Sequence, residues 1–274
     1  MSTIKDKVIV ITGASDGIGA VVARRLDELG AKVIIVGRSR EKTMAIAHEL
    51  QASYYLADFT KLSDVRRLAA NLDQDLDRID VLINNAGGIM GKREVTVDGN
   101  EKTLQVNHLA PFLLTNLLIN KLIHSKAKIL NTSSIANKMF GHINIDDLNA
   151  VKDYSPNKAY GDSKLANILF ARELNRRYGN KGIKSVAFHP GNVATSFSSG
   201  STSLLRFLYQ TPLKRFFLIS PERGADNTIW LATTDEWKPG EYYDKQKITH
   251  ANKQAYDANL ARKLWEQSDM MTAP

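Results

Sequence analysis

The 274-residue chain has no cysteine. Disulfides, thiolate metal sites and a cysteine nucleophile are therefore excluded. It also lacks any apolar run near the ~20 residues of a membrane-spanning helix. Its most apolar stretch, residues 113–123, is interrupted by Thr115, Asn116, Asn120 and Lys121 and reads as a buried amphipathic helix. The first residues lead directly into Val8-Ile9-Val10-Ile11, without the apolar region and small-residue cleavage site of a secretory signal. These absences point to a soluble, cytoplasmic protein. Long basic blocks are missing too. Lys and Arg number 37 against 29 acids, net +8, but they are scattered, clustering no further than pairs such as Arg24-Arg25 and Arg66-Arg67. With no aromatic-basic stripe, that charge reads as a solvated surface and not as a nucleic-acid footprint. Finally, His108, His142 and His189 fall on different elements, and no histidine has metal-ligand spacing to another ligand, so no catalytic metal is expected.

What is present is ordinary globular composition, 43% hydrophobic and 24% charged. Short β-rich runs at 8–11, 33–36, 54–57, 81–83, 127–130 and 183–188 alternate with helical patterns at 17–29, 41–50, 62–76, 106–123 and 160–178. That alternation predicts an α/β fold: one doubly wound parallel sheet of Rossmann type, with helices on both faces. No repeat or low-complexity linker divides the chain. It reads as a single domain, 1–274, with a dinucleotide-binding half over 4–135, a catalytic and substrate-binding half over 136–250 and a C-terminal extension over 251–274. Two segments break the rhythm as long loops, 137–158 and 191–222, the second containing a variable loop at 192–222. Both follow C-terminal ends of strands, where open α/β sheets bind ligands.

Between the first strand and first helix stands Thr12-Gly13-Ala14-Ser15-Asp16-Gly17-Ile18-Gly19. Its glycines do not match a P-loop or the G-x-G-x-x-G fingerprint. The physical logic is still that of a dinucleotide site, since glycines permit a tight turn and let backbone approach a pyrophosphate at a helix N-terminus. A plain strand-to-helix turn is the alternative. The second strand ends Val36-Gly37-Arg38-Ser39-Arg40-Glu41-Lys42, with no acid where one would hold the ribose hydroxyls of NAD. Arg38 offers a planar fork to a 2′-phosphate, with Lys42 or Arg40 assisting, so the cofactor expected is NADP (NADPH).

Tyr160 and Lys164 lie four residues apart, on one face of a helix and about 6 Å apart at Cβ. A free tyrosine titrates near ~10. A neighbouring ammonium favours the phenolate and makes Tyr160 a usable general acid/base. Without other signals the same spacing is an ordinary surface pair. A hydroxyl at Ser133 or Ser134, just after Leu130-Asn131-Thr132, could donate to a substrate carbonyl.

Thr12 to Gly19, Asn84-Asn85-Ala86-Gly87, Tyr160-Gly161-Asp162-Ser163-Lys164 and Pro190-Gly191 follow the order of the short-chain dehydrogenase/reductase family, over about residues 5–245. The stretch Ala159 to Asn167, His189-Pro190-Gly191 and the serine-to-tyrosine gap resemble the retinol-dehydrogenase and WW-domain-oxidoreductase branch. The resemblance implies that Ser134 is the catalytic serine, with Ser133 packed behind it. It gives Lys164 a bond to the nicotinamide ribose, and Asn107 the support of a water relay to Lys164. It also implies cofactor contacts from Gly13, Ser15, Asp16, Gly17, Ile18 and Gly19. Asp58 would accept from the adenine amide, and Asn85, Ala86 and Gly87 would line the adenine ribose. Pro190, Gly191, Val193 and Thr195 would flank the nicotinamide. Gly88 after the Asn-Asn-Ala-Gly motif and Asn192 after Pro-Gly are small departures from the pattern.

The expected activity is NADP(H)-dependent interconversion of a small-molecule carbonyl, aldehyde or ketone, and its alcohol. A non-catalytic NADP(H)-binding regulator on the same fold is the alternative, but it would be expected to have lost Tyr160, Lys164 or the serine. Family members often associate through long helices, so a homo-oligomer, dimer or tetramer, is expected. Segment 197–219 alternates Leu204, Leu205, Phe207 and Leu208 with Arg206, Lys214 and Arg215. Three readings are open for it: a lipophilic substrate pocket, core or oligomer packing, or contact with a membrane surface.

Overall fold

Side-chain alternation in the first strands dictates a sheet covered on both faces. In β1 (Val8–Thr12), Ile9 and Ile11 enter one apolar cluster and Val10 another. In β2 (Lys32–Gly37), Val33 and Ile35 join the first cluster, Ile34 and Val36 the second. Successive residues of a strand face opposite ways, so both faces need helices. The computed structural model describes residues 4–191 and 220–274. Its sheet continues through β3 (Ser53–Leu56), β4 (Val81–Asn84), β5 (Lys128–Thr132), β6 (Lys184–His189), β7 (Tyr242–Asp244) and β8 (Lys247–Ile248). The spatial order is β3-β2-β1-β4-β5-β6-β7-β8; every pairing is parallel except β7 with β8. The chain thus forms the expected single α/β domain on a parallel sheet.

Among the described residues the α-helices are α1 (Gly17–Glu28), α2 (Arg40–Glu49), α3 (Leu62–Asp75), α4 (Lys102–Leu104), α5 (Ala110–Leu117), α6 (Ile119–His124), α7 (Ala136–Met139), α8 (Pro156–Tyr178), α9 (Pro221–Thr233) and α10 (Ala258–Met271). Leu26 of α1 and Leu231 of α9 cover one face; Leu68 of α3, Phe112 of α5 and Phe170 of α8 cover the other. Strand order reverses between β1 and β4, the switch point at whose carboxyl ends open α/β sheets bind ligands. The glycine loop, Asn85 to Gly87, Asn107 and Lys164 come together there.

Several boundaries differ from expectation, each for a local reason. The helix expected over 106–123 begins at Lys102, because the Glu101 carboxylate accepts from the Thr103 and Leu104 N–H groups at 2.8 and 2.7 Å. It then passes through a π turn, Gln105–Leu109, into α5, where Pro111 has no N–H to give the Asn107 carbonyl and Asn167 Nδ2 donates to that carbonyl instead, at 3.0 Å. Helix α8 starts at Pro156 and not at Tyr160, since Ser155 Oγ accepts from Lys158 N–H and Pro156 suits a first turn. Its first turn therefore belongs to a segment expected to be loop, as does the end of α7. The loop expected over 192–222 ends sooner, with Pro221 and Glu222 already in α9. Helix α10, capped by Asp257, packs Trp265 against Phe112 and Phe170 at ring-centroid distances of 5.0 and 5.7 Å. One face of α8, the long helix of the fold, is thereby covered within the chain. Among the described residues no helix is long and apolar enough to cross a membrane.

Candidate active site

The loop after β1 is shaped by what its glycines lack. Gly13 has φ +68°, where a side chain is strained, and a Cβ there would lie 2.9 Å from Ala86 Cα. A Cβ at Gly19 would collide with the Gly13 carbonyl oxygen. Thr12 and Asn85 strap this loop to the end of β4. Thr12 Oγ1 accepts from the Asn85 and Ala86 N–H groups, both at 3.0 Å, while Asn85 Nδ2 donates to Thr12 O at 2.9 Å. Asp16 caps α1, its carboxylate accepting from Gly17 N–H at 2.7 Å. Bare backbone thus runs along the loop toward the N-terminus of α1, with Ser15 and Ile18 on the same turn. This tight turn at a helix N-terminus closes against the end of β4 only because Gly13 and Gly19 carry no Cβ, and such a turn fits the pyrophosphate of a dinucleotide.

At the end of β2, Arg38 is exposed and has no ion-pair partner among the described residues. Lys42 Nζ reaches back 2.6 Å to Asp16 Oδ2, bridging α2 to the glycine loop beside Arg38. Asp58, after β3, is half-buried and accepts from Thr60 N–H at 3.0 Å.

The other end of the groove is buried and interlocked. Lys164 is 1% exposed. Its Nζ donates to Thr132 O at 3.1 Å and lies 5.4 Å from the Tyr160 ring centroid. Burial alone pushes its pKa down to about 7. A Cβ at Gly87 would come 3.4 Å from that Nζ, so the bare Gly87 backbone leaves the lysine room. Ser133 Oγ donates to Lys164 O at 2.7 Å and is buried, whereas Ser134 stays partly exposed, its Oγ accepting from Ala136 N–H. Asn107 lies in the π turn. Its Oδ1 accepts from Gly88 N–H at 2.8 Å, and its Nδ2 donates to Gly88 O and Ser163 Oγ at 2.9 and 3.0 Å. The side chain is thus spent on holding the backbone beside Gly87. Pro190 and Gly191 follow β6, with Gly191 at φ +98°. The remaining expected contacts, Val193 and Thr195, and the apolar segment 197–219 lie outside the described residues.

A model of the short chain dehydrogenase family matches residues 7–203. The chain belongs to that family. Within it, this short-chain dehydrogenase is 39% identical over 271 residues to a protein of Streptomyces sp. (strain C5) assigned as a daunorubicin C-13 ketoreductase, covering 96% of this chain and 91% of that one. It is 37% identical to retinol dehydrogenase 13 of Homo sapiens, over 97% and 85% of the two chains. A short-chain dehydrogenase structure from Escherichia coli CFT073 complexed with NADPH superposes with TM-score 0.70, at 26% identity over 90% and 99% of the chains. The protein is an oxidoreductase acting on CH–OH or C=O groups through a nicotinamide cofactor, close to the retinol dehydrogenase branch.

The structure also assembles polar residues in this short-chain dehydrogenase to which sequence reasoning gave no role. Asn84 Nδ2 donates to Asn131 Oδ1 at 3.0 Å, and Asn131 Nδ2 donates to Ser185 Oγ at 3.2 Å, a buried ladder across β4, β5 and β6 beneath the site. Asn167 lies one turn beyond Lys164, and its Nδ2 donates to both Thr132 O and Asn107 O at 3.0 Å. The three-residue spacing from Lys164 was a visible signal that the two share a helix face. The bonds across the sheet left no such trace.

Proposed function

We propose that this short-chain dehydrogenase uses NADP(H) to interconvert a lipophilic aldehyde or ketone and its alcohol, with Tyr160 as general acid/base. The observation that carries this reading is the buried Lys164 amine beside both the Tyr160 ring and the bare Gly87 backbone. Gly13, Gly19 and Gly87 would line the dinucleotide, Arg38 would pair with a 2′-phosphate with Lys42 behind it, and Asp58 would meet the adenine. Bound in this groove, the nicotinamide supplies or accepts the hydride.

In the reducing direction the Tyr160 phenol gives its proton to the substrate oxygen as negative charge develops there. The Ser134 hydroxyl donates to the same oxygen and stabilises that charge. Lys164, when protonated, lowers the cost of the phenolate that Tyr160 becomes. In oxidation the same groups act in reverse, with Tyr160 as base. Asn107 contributes by fixing the Gly88 peptide and Ser163, so that Gly87 keeps its distance from the lysine.

Substrate class rests on the apolar content of segment 197–219 and on retinol, the apolar alcohol named for several relatives. The test is a series of aldehydes and ketones of increasing apolar size, assayed with NADPH at the nicotinamide absorbance band. Catalytic efficiency should climb by up to ~0.8 kcal/mol per buried methylene until the pocket is full. A flat series, or a preference for small charged carbonyls, would overturn the lipophilic reading.

A further inference from the structure

We infer that His108, Asn167 and Ser268 form a positioning chain through which the C-terminal helix α10 holds Lys164 in place. The inference rests on the Tyr160–Lys164 reading of the site and extends it to a part of the molecule remote from substrate.

Ser268, on α10, lies 2.9 Å through its Oγ from His108 Nε2. His108 Nδ1 lies 3.3 Å from Asn167 Oδ1. Asn167 Nδ2 donates to Asn107 O and Thr132 O, and Lys164 Nζ donates to the same Thr132 O. His108, Asn167, Ser268 and Lys164 are all buried.

The donor inventory orients every link. Two backbone carbonyls can only accept, so the Asn167 amide must turn its NH2 toward them and its oxygen toward His108. An oxygen there requires a proton on His108 Nδ1, and in the neutral imidazole Nε2 then accepts from the Ser268 hydroxyl. Burial, partly offset by the bond to Asn167, holds the imidazole pKa down to about 4, so it is neutral near pH 7. Polar groups buried this deeply are expensive unless all are paired, and the chain pairs each of them.

The mechanical consequence is specific. A lysine side chain is long and flexible, and one carbonyl anchors this one. Asn167 clamps that carbonyl, at the end of β5, to the π turn carrying Asn107. His108 fixes the amide, and Ser268 fixes the imidazole. Among the described residues few titratable groups face the lysine from the packed elements. Tyr160 stands on its own helix, neutral His108 lies behind Asn167, and Tyr242 of β7 is within electrostatic reach of Tyr160. Loosening the chain should admit water and return Lys164 toward the ordinary lysine range.

The test reads the Lys164 titration by NMR in full-length protein labelled at lysine Nζ, with Lys164→Met assigning the signal, and reads kcat at saturating NADPH in parallel. His108→Phe keeps a ring of similar volume and removes both bonds; His108→Gln keeps one donor and one acceptor in a neutral side chain. In His108→Phe the Lys164 midpoint should rise and kcat should fall by about tenfold or more, as misplaced catalytic groups do. His108→Gln should recover most of both. Ser268→Ala, a mild change that preserves the fold, should move both readouts in the same direction by less. An unmoved Lys164 midpoint and unchanged kcat in His108→Phe and Ser268→Ala, with only thermal stability lowered, would overturn the inference. Turnover surviving in Tyr160→Phe would instead sink the acid/base reading, a separate outcome from the Lys164 midpoint.

Discussion

The two ends of the cofactor groove are built on opposite principles. At the β1–β2 end the working feature is absence: no Cβ at Gly13 or Gly19, and an exposed guanidinium at Arg38 without an ion-pair partner among the described residues. At the β4–β5 end the working feature is crowding. Lys164, Asn107, Asn167 and His108 are buried together, and the hydrogen bonds among them and the neighbouring backbone cross between elements far apart in the chain. In the proposed function the first end would recognise the cofactor through backbone and surface charge, and the second would hold the proton-transfer group in a low-dielectric setting. Substitutions should therefore fail differently at the two ends, in binding at one and in turnover and stability at the other.

The sharpest break at the binding end is Gly19→Ala. Its Cβ would collide with the Gly13 carbonyl, and that contact is backbone, which cannot swing aside. Titration with NADPH followed by fluorescence should show affinity lost altogether, while circular dichroism shows the sheet retained. Next in size is Arg38→Ala, which removes a charge-assisted contact of about 1.5–3 kcal/mol. The ratio of efficiency with NADPH to that with NADH should fall by about ten- to a hundredfold, and equal use of both cofactors by the unmodified enzyme would refute the role of Arg38.

The smallest effect runs the other way, at the crowded end. Burial holds Lys164 at about 7, well below a free lysine near ~10.4. Between those two values the unfolded chain holds a proton that the folded site has released, so the lysine costs stability at neutral pH, and stability recovers as pH rises toward ~10.4. Lys164→Met removes the cost, and Thr132 O keeps its bond from Asn167. Its melting temperature at neutral pH should exceed that of the unmodified protein by ~2–4 °C or more, the gap closing as pH rises. A lower melting temperature would mean that the amine's bond outweighs its desolvation.

The same contrast explains what could be read from the residues alone. The alternating runs foretold the parallel sheet because strands buried on both faces must be apolar throughout, as Ile9 to Ile11 and Val33 to Val36 are. The glycine loop and the Tyr160–Lys164 spacing are local signals, set within one turn or one helix face. Asn131, His108 and Ser268 were illegible as site residues because their partners are remote in sequence: the His108–Ser268 bond spans 160 residues. The π turn escaped notice because it depends on how Pro111 and Asn107 share one helix, not on apolar periodicity. Helix α9 and the last two strands lie where short, mixed-polarity runs give periodicity little to grip.

In the proposed mechanism Tyr160 moves the proton that accompanies hydride transfer. This role is tested most directly by single-turnover reduction of a lipophilic ketone with bound NADPH, comparing the unmodified enzyme with Tyr160→Phe. NADPH affinity should be unchanged and the rate lower by about 10²- to 10⁴-fold, the usual contribution of a positioned acid. A Tyr160→Phe enzyme that turns over at the original rate would contradict it.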